Sequence, residues 1–247
     1  MEAYTDFASV YDEFMEETPY DAWCAFIESR LKEDGITEGL ILDLGCGTGA
    51  MTERLKALSY DMIGVDSSEE MLRIATEKGD RDILYLLQDM REFELYGTVR
   101  AIVSVCDCVN YITDPKELLS VFRLVNNYLD PKGLFIFDFN TPYKYGEVIG
   151  DTVIAENRED KSFIWENYWY PEEHINEYDV TIYQKEEDGR YRRFTEEHYQ
   201  RAYTLSEIKK LASKAGLSFV AAYDDYTEQP VTRKSERIVA VFREQGK

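Results

Sequence analysis

Three glycines at alternate positions, Gly45, Gly47 and Gly49, follow the run Leu40-Ile41-Leu42-Asp43-Leu44, which reads as a buried strand. A loop with so few side chains turns tightly and lets the backbone lie close against a ligand. A helix starting near Thr48 aims its unpaired N–H groups at the same place. The glycine spacing is not that of the dinucleotide fingerprint, whose third glycine falls one residue later, and this argues against a nicotinamide oxidoreductase. Two further acids stand where strands end. Asp66 closes the run Tyr60–Asp66, and Asp89 follows the run Asp82–Gln88. An acid ending the second strand of a βαβ unit can accept hydrogen bonds from both hydroxyls of a ribose.

Other groups with chemistry lie further along. Cys106-Asp107-Cys108-Val109-Asn110-Tyr111 follows an apolar run at Val99–Val105, and Asp107 or Tyr111 could orient an acceptor atom. The alternative for Asp107 is a turn or helix-cap acid. His198 lies between acids and aromatics, and imidazole is the side chain that titrates near neutrality; a surface strand histidine is the plainer reading. Arg201 and Tyr203 either line a pocket or bury one face of a strand. Tyr4, Phe7, Tyr11 and Phe14 recur at helical spacing, so one face of an N-terminal helix is aromatic.

The elements that must position these groups are punctuated by local signals. Ser67 with Glu70 reads as a capping box that starts a helix directly after Asp66. Asp114-Pro115-x-Glu117 starts another, running to about Leu129. Asp130–Gly133 is a turn before a fifth strand at Leu134–Phe139. Thr204 and Glu207 form a second capping box, opening a helix that ends at Gly216, and runs at Leu217–Tyr226 and Arg237–Arg243 close the chain. Between the fifth strand and that helix, residues 161–170, 175–185 and 191–203 alternate as three antiparallel strands, with a hairpin signal at Asp188-Gly189. Eleven aromatics fall between Phe163 and Tyr203, so this insert is either a roof over a pocket or a packing or dimer face.

In this order, the residues resemble the class I S-adenosylmethionine-dependent methyltransferases. The resemblance implies an α/β fold: a Rossmann-like, seven-stranded, mostly parallel sheet with an antiparallel last strand. An inserted antiparallel sheet stands between strand five and the last helix. It divides the chain into a cofactor-binding core with an N-terminal cover at 1–140, an inserted substrate cap at 141–203 and a core completion at 204–247. It also implies S-adenosylmethionine as cofactor. Asp43, Gly45, Cys46, Gly47 and Gly49 would hold its methionine part, Asp66 and Ser67 its ribose, and Asp89 and Met90 its adenine. Tyr4 and Tyr11 would sit near the sulfonium or the carboxylate, with Asp107, Tyr11 and His198 as the catalytic candidates.

Composition sets the outer limits. A net charge of −21 repels a phosphate backbone, so a nucleic-acid substrate is disfavoured and a small molecule expected. Cys24, Cys46, Cys106 and Cys108 show neither metal nor disulfide spacing, and a reducing cytoplasm is the simplest home. Cys106 and Cys108 read as small buried residues. Asp107, Asp138 and Asn140 are too loosely spaced to read as metal ligands, and no metal is expected. No apolar run is long enough to span a membrane. The expected activity is methyl transfer to nitrogen or oxygen of a small molecule. RNA methylation and non-catalytic cofactor binding are the alternatives.

Overall fold

A computed structural model describes residues 8–247. Tyr4 and Phe7 of the aromatic helical face lie outside the described residues. The chain begins with helices α1 (Ala8–Phe14) and α2 (Tyr20–Glu33). The core then alternates β1 (Leu40–Leu44), α3 (Ala50–Ala57), β2 (Asp61–Asp66), α4 (Glu69–Lys78), β3 (Leu84–Leu87), β4 (Val99–Ser104), α5 (Pro115–Tyr128) and β5 (Leu129–Asn140). An insert follows, with β6 (Val153–Asn157), β7 (Lys161–Tyr170), β8 (Ile175–Lys185) and β9 (Tyr191–Arg201). The chain closes with α6 (Leu205–Lys214), β10 (Leu217–Asp224) and β11 (Arg237–Glu244).

The core strands form one seven-stranded sheet in the order β10-β11-β5-β4-β1-β2-β3. The strands from β1 to β5 run parallel, and β11 runs antiparallel to β5, as expected. Alternation along each strand loads both faces. Leu42, Ile102, Phe135 and Phe137 pack with α5 and α6, whereas Ile41, Val103 and Ile136 pack with α2 and α3. Because β1 is flanked by β2 on one side and β4 on the other, the strand order reverses there. In an open α/β sheet that point, at the carboxyl ends, is where ligands bind.

Three local expectations are corrected. The cap of α4 is Ser68, whose hydroxyl accepts from Met71 N, one residue later than expected, because Asp66 itself turns back to accept from Ser68 N. Asp130–Gly133 is a bulge inside β5: Val99 pairs with Leu129 and Ala101 with Leu134, and Lys132 takes φ 67°. The inserted sheet has four strands, in the order β6-β7-β8-β9. Its extra strand, β6, is mostly exposed and defined by pairing with β7, so it carries no clear apolar alternation of its own. The caps at Asp114 and Thr204 form as read, the latter with both bonds of a capping box.

Candidate functional site

A cleft of about 810 Å³ opens at the carboxyl ends of β1, β2, β3 and β4. That volume suits a cofactor-sized ligand. Gly45, Cys46 and Gly47 form its floor, with Asp66, Ser67, Asp89 and Met90 on one wall. The glycines serve different purposes. At Gly45, φ is 83° and a Cβ would lie 2.7 Å from Cys108 Sγ, so this position is closed by the protein itself. At Gly49, which precedes α3, a Cβ would lie 2.5 Å from Tyr85 Oη. Of these three, Gly47, where φ is 53°, is the one whose Cβ would meet no described residue within 4 Å. The backbone there faces open space, the form of a cradle for a ligand.

The acids flank this floor. Asp66 accepts from Gly47 N at 2.8 Å and from Ser68 N at 2.9 Å, which fixes its carboxylate beside the glycine loop. Burial raises its pKa, opposed by these backbone donors. Asp43 is fully buried and does not line the cleft. Its Oδ2 accepts from Thr52 Oγ1 at 2.6 Å, while Oδ1 has no hydrogen-bond partner among the described residues. Burial, with the nearby charge of Asp66, pushes this acid up to about 7 against the pull of Thr52. Asp89 grips Arg91, accepting from its Nε at 2.9 Å, and that bond holds its carboxyl below the usual range. The half-buried carboxylate of Asp66 on the cleft wall, with buried Asp43 behind it and open space above Gly47, fits a ligand with hydroxyls and positive charge. S-adenosylmethionine carries both.

The opposite end of the cleft is aromatic. Tyr11 of α1, Tyr20 of α2, Cys106, Cys108, Tyr111 and Ile112 line it. Tyr11 Oη lies 3.8 Å from Cys106 Sγ. Cys106 and Cys108, read as small buried residues, are half-buried; burial pushes the Cys106 thiol up to about 12, and the charge of Asp107 adds to it. Helix α1 is pinned from both sides. Asp12 accepts from Thr48 Oγ1 at 2.5 Å and pairs with Lys78 of α4. Glu13 pairs with Lys161 of the inserted sheet, and Phe14 meets Phe163 edge-on at 4.8 Å. The helix therefore joins the glycine loop to the insert and holds Tyr11 at the cleft.

The loop after β4 has its own support. Cys106 and Asp107 both adopt left-handed backbone conformations, φ 63° and 54°. The buried carboxylate of Asp138 accepts from both of their N–H groups, at 3.1 and 2.7 Å, and offsets that local strain. Asp138 also accepts from Tyr226 and Arg237. Asp107 does not line the cleft; its carboxylate accepts from Arg237 at 3.0 Å and Gln200 at 2.6 Å. Asp107 and Asp138 thus share one guanidinium, and Asn140 accepts from Lys144 at 3.0 Å. His198 also stands back from the cleft, buried on the inner face of β9, with Nδ1 3.1 Å from Tyr111 Oη. Arg201 and Tyr203 are absent from the lining; Arg201 contacts Glu173 O, and Tyr203 is fully buried with its hydroxyl on Ile112 O.

Of the candidates named from sequence, Gly45, Cys46, Gly47, Asp66, Ser67, Asp89, Met90 and Tyr11 meet at one cleft. Asp43, Gly49, Asp107 and His198 stand behind it, and Tyr4 lies outside the described residues. Tyr20 and the Thr48 side chain also line the cleft, and no local pattern marks either as a lining residue. Arg237 begins a strand 130 residues from Asp107, and no spacing rule joins the two.

The fold and this cleft define a class I S-adenosylmethionine-dependent methyltransferase. A family model described as a methyltransferase domain matches residues 41–133, the segment carrying the glycine loop and both strand-end acids. YqeM of Bacillus subtilis (strain 168), described as a methyltransferase, is 36% identical over 238 residues, covering 95% of this chain and 94% of that protein. The crystal structure of an S-adenosylmethionine-dependent methyltransferase from Clostridium acetobutylicum superposes with a TM-score of 0.88 at 29% identity, covering 99% of this chain and 100% of that one. The dTDP-3-amino-3,4,6-trideoxy-alpha-D-glucopyranose N,N-dimethyltransferase of Streptomyces venezuelae is 28% identical over 158 residues, 62% of this chain and 66% of that protein. The chain belongs to the S-adenosylmethionine-dependent methyltransferases. Its cofactor is S-adenosylmethionine. No helix among the described residues is long and apolar enough to cross a membrane.

Proposed function

We propose that the protein transfers the cofactor's methyl group to nitrogen or oxygen of a small molecule held at the aromatic end of the cleft, with an amine nitrogen the favoured acceptor. One observation carries this reading: a single cleft runs from Asp66 and Gly47 to a wall of Tyr11, Tyr20 and Tyr111, and α1, which brings Tyr11 to that wall, also contacts the inserted sheet. The amino-sugar dimethyltransferase reported above, named for a nitrogen acceptor, supports the choice of nitrogen. A net charge of −21 speaks against RNA.

In this reading Asp66 accepts the ribose hydroxyls and the Gly47 backbone lies against the methionine part. Asp89 and Met90 flank the adenine. Bound, the cofactor supplies an activated methyl whose leaving group is a neutral thioether. The protein then has to hold acceptor and methyl in line, a constraint that can supply about 7–11 kcal/mol. The tyrosine wall, fixed by α1 and by the Asp138-supported loop, provides that rigidity. An acceptor arriving as an ammonium must also lose a proton.

The test is incubation with methyl-labelled S-adenosylmethionine and cell extract separated into metabolite, RNA and protein fractions. Label in metabolites, released as methylamine derivatives, is the expected result. Label confined to RNA overturns the small-molecule reading. Absence of label, with cofactor binding intact, indicates a non-catalytic binder.

A further inference from the structure

A row of polar side chains leads from the cleft wall into the inserted sheet. Tyr111 lines the cleft, and its Oη lies 2.7 Å from Tyr178 Oη and 3.1 Å from His198 Nδ1. The His198 ring stacks on Tyr178 with centroids 4.9 Å apart and planes 17° from parallel. On its far side, His198 Nε2 lies 3.4 Å from Glu196 Oε2, and the two side chains are only 1% and 5% exposed. Glu196 and His198 are two residues apart on β9, so both point inward from one face of the strand. The same sheet buries Val180, Ile182 and Phe194. A histidine and a glutamate in such surroundings cost stability that an apolar pair would not.

The chemistry of each group sets the direction of the row. A buried carboxylate beside Nε2 favours a proton on that nitrogen and leaves Nδ1 as an acceptor. Tyr111 then donates to His198 Nδ1, and Tyr178 donates to Tyr111. Burial, reinforced by Tyr111 and Asp107, pushes the Tyr178 hydroxyl well up, so it keeps its proton. Among the described residues, the titratable groups facing the imidazole include Tyr111 from the turn Cys108–Tyr111, Tyr178 from β8 and Glu196 from β9. Asp107 and Tyr145 act on Tyr178 from one layer further out. From β7, the ring of Trp165 packs on Tyr178 at 4.7 Å.

We propose that Tyr111, His198 and Glu196 form a proton relay that deprotonates an ammonium acceptor in the cleft. This rests on the nitrogen-acceptor reading given above. The ammonium N–H proton passes to Tyr111 Oη as the Tyr111 proton passes to His198 Nδ1. The resulting imidazolium is held against the Glu196 carboxylate. The freed nitrogen lone pair forms the N–C bond, and the electron pair of the breaking C–S bond stays on sulfur. The product nitrogen carries the positive charge that sulfur loses, and the proton on His198 returns through Tyr111 to water once product has left the cleft. Tyr111 meets the acceptor, while His198 and Glu196 act through it.

Two measurements test the relay. The chain has two histidines, so nitrogen-15 NMR of the protein saturated with S-adenosylhomocysteine resolves both, and His174→Asn assigns them. His198 is expected as the Nε2–H tautomer at alkaline pH, a preference that weakens in Glu196→Gln. In the metabolite-labelling assay, the acidic limb of the rate profile is expected to shift in Glu196→Gln, because the imidazolium formed in the relay then lacks its carboxylate. Tyr111→Phe, which keeps the ring, is expected to cut the rate by about 100-fold, the lower range for a positioned base. Unchanged S-adenosylhomocysteine affinity and melting in Tyr111→Phe separate this from misfolding. An Nδ1–H tautomer, or a limb that stays put in Glu196→Gln, overturns the relay. Wild-type protein that labels no metabolite at any pH overturns the acceptor reading instead.

Discussion

Replacing Gly47 by alanine separates cofactor binding from folding. A Cβ at Gly47 meets nothing within 4 Å, so the cost to the unliganded protein is the left-handed backbone at φ 53°. That cost is about 1–2 kcal/mol for a residue with a Cβ. In a chain of this size it lowers the melting temperature by about 2–8 °C. The Gly47 N–H to Asp66 bond survives, because alanine keeps its amide. The added methyl stands in the cleft where the cofactor's backbone cradle would be. The expected loss of affinity is at least tenfold, or about 1.4 kcal/mol. Gly45→Ala makes the contrast. Its Cβ would sit 2.7 Å from Cys108 Sγ and 2.9 Å from Cys108 Cβ. Overpacking of about 1–3 kcal/mol adds there to the backbone cost. Calorimetric melting without ligand, with titration of S-adenosylhomocysteine, reads both effects. A Gly47→Ala protein that binds as tightly as wild type would refute the placement of the cofactor over this loop.

Three other outcomes follow from buried or crowded charge. Asp43 has a folded-state pKa of about 7, above its unfolded value of about 3.9, so the folded chain binds the extra proton between those limits. Its contribution is full below about pH 4 and lost as pH rises through 7; Asp43→Asn is expected to flatten that part of the unliganded melting profile. On the outer face of the insert, Asp179 stands directly between Glu166 and Glu197, and burial with these neighbours and Glu177 raises its pKa. Opposed like charges cost about 0.2–1 kcal/mol, so Asp179→Asn is expected to raise the melting temperature by about 1–3 °C at pH 7, with the gain vanishing as the acids protonate. Arg237→Met leaves Asp138 and Asp107 without their cation, and urea unfolding is expected to show a loss of about 3–5 kcal/mol. A loss under 1 kcal/mol would mean that the cluster is not the support described for the loop after β4.

The legible parts of this chain were those with local causes. A strand followed by alternating glycines, acids at the ends of the next two strands, and capping residues three apart all act within a few bonds of themselves. Even there, Ser67 and Ser68 exchanged roles, since either hydroxyl could have capped α4 until the position of Asp66 decided. What a side chain at Gly45 or Gly49 would strike, Cys108 and Tyr85, could not be read either, since those partners are remote in sequence. The site behind the cleft was hidden for the same reason. Asp107 is paired across 130 residues with Arg237, and His198 is brought to Tyr111 by the docking of a whole sheet. Neither closure is written in spacing, because each depends on how two layers meet.

A crystal structure with S-adenosylhomocysteine bound would show where the cofactor lies. The expected structure has the ribose hydroxyls on Asp66, the adenine beside Asp89 and Met90, the homocysteine over Gly47, and the sulfur facing Tyr11 and Tyr111. A nucleoside bound away from Asp66, or a sulfur turned from the tyrosine wall, would contradict both the cofactor assignment and the acceptor site built on it.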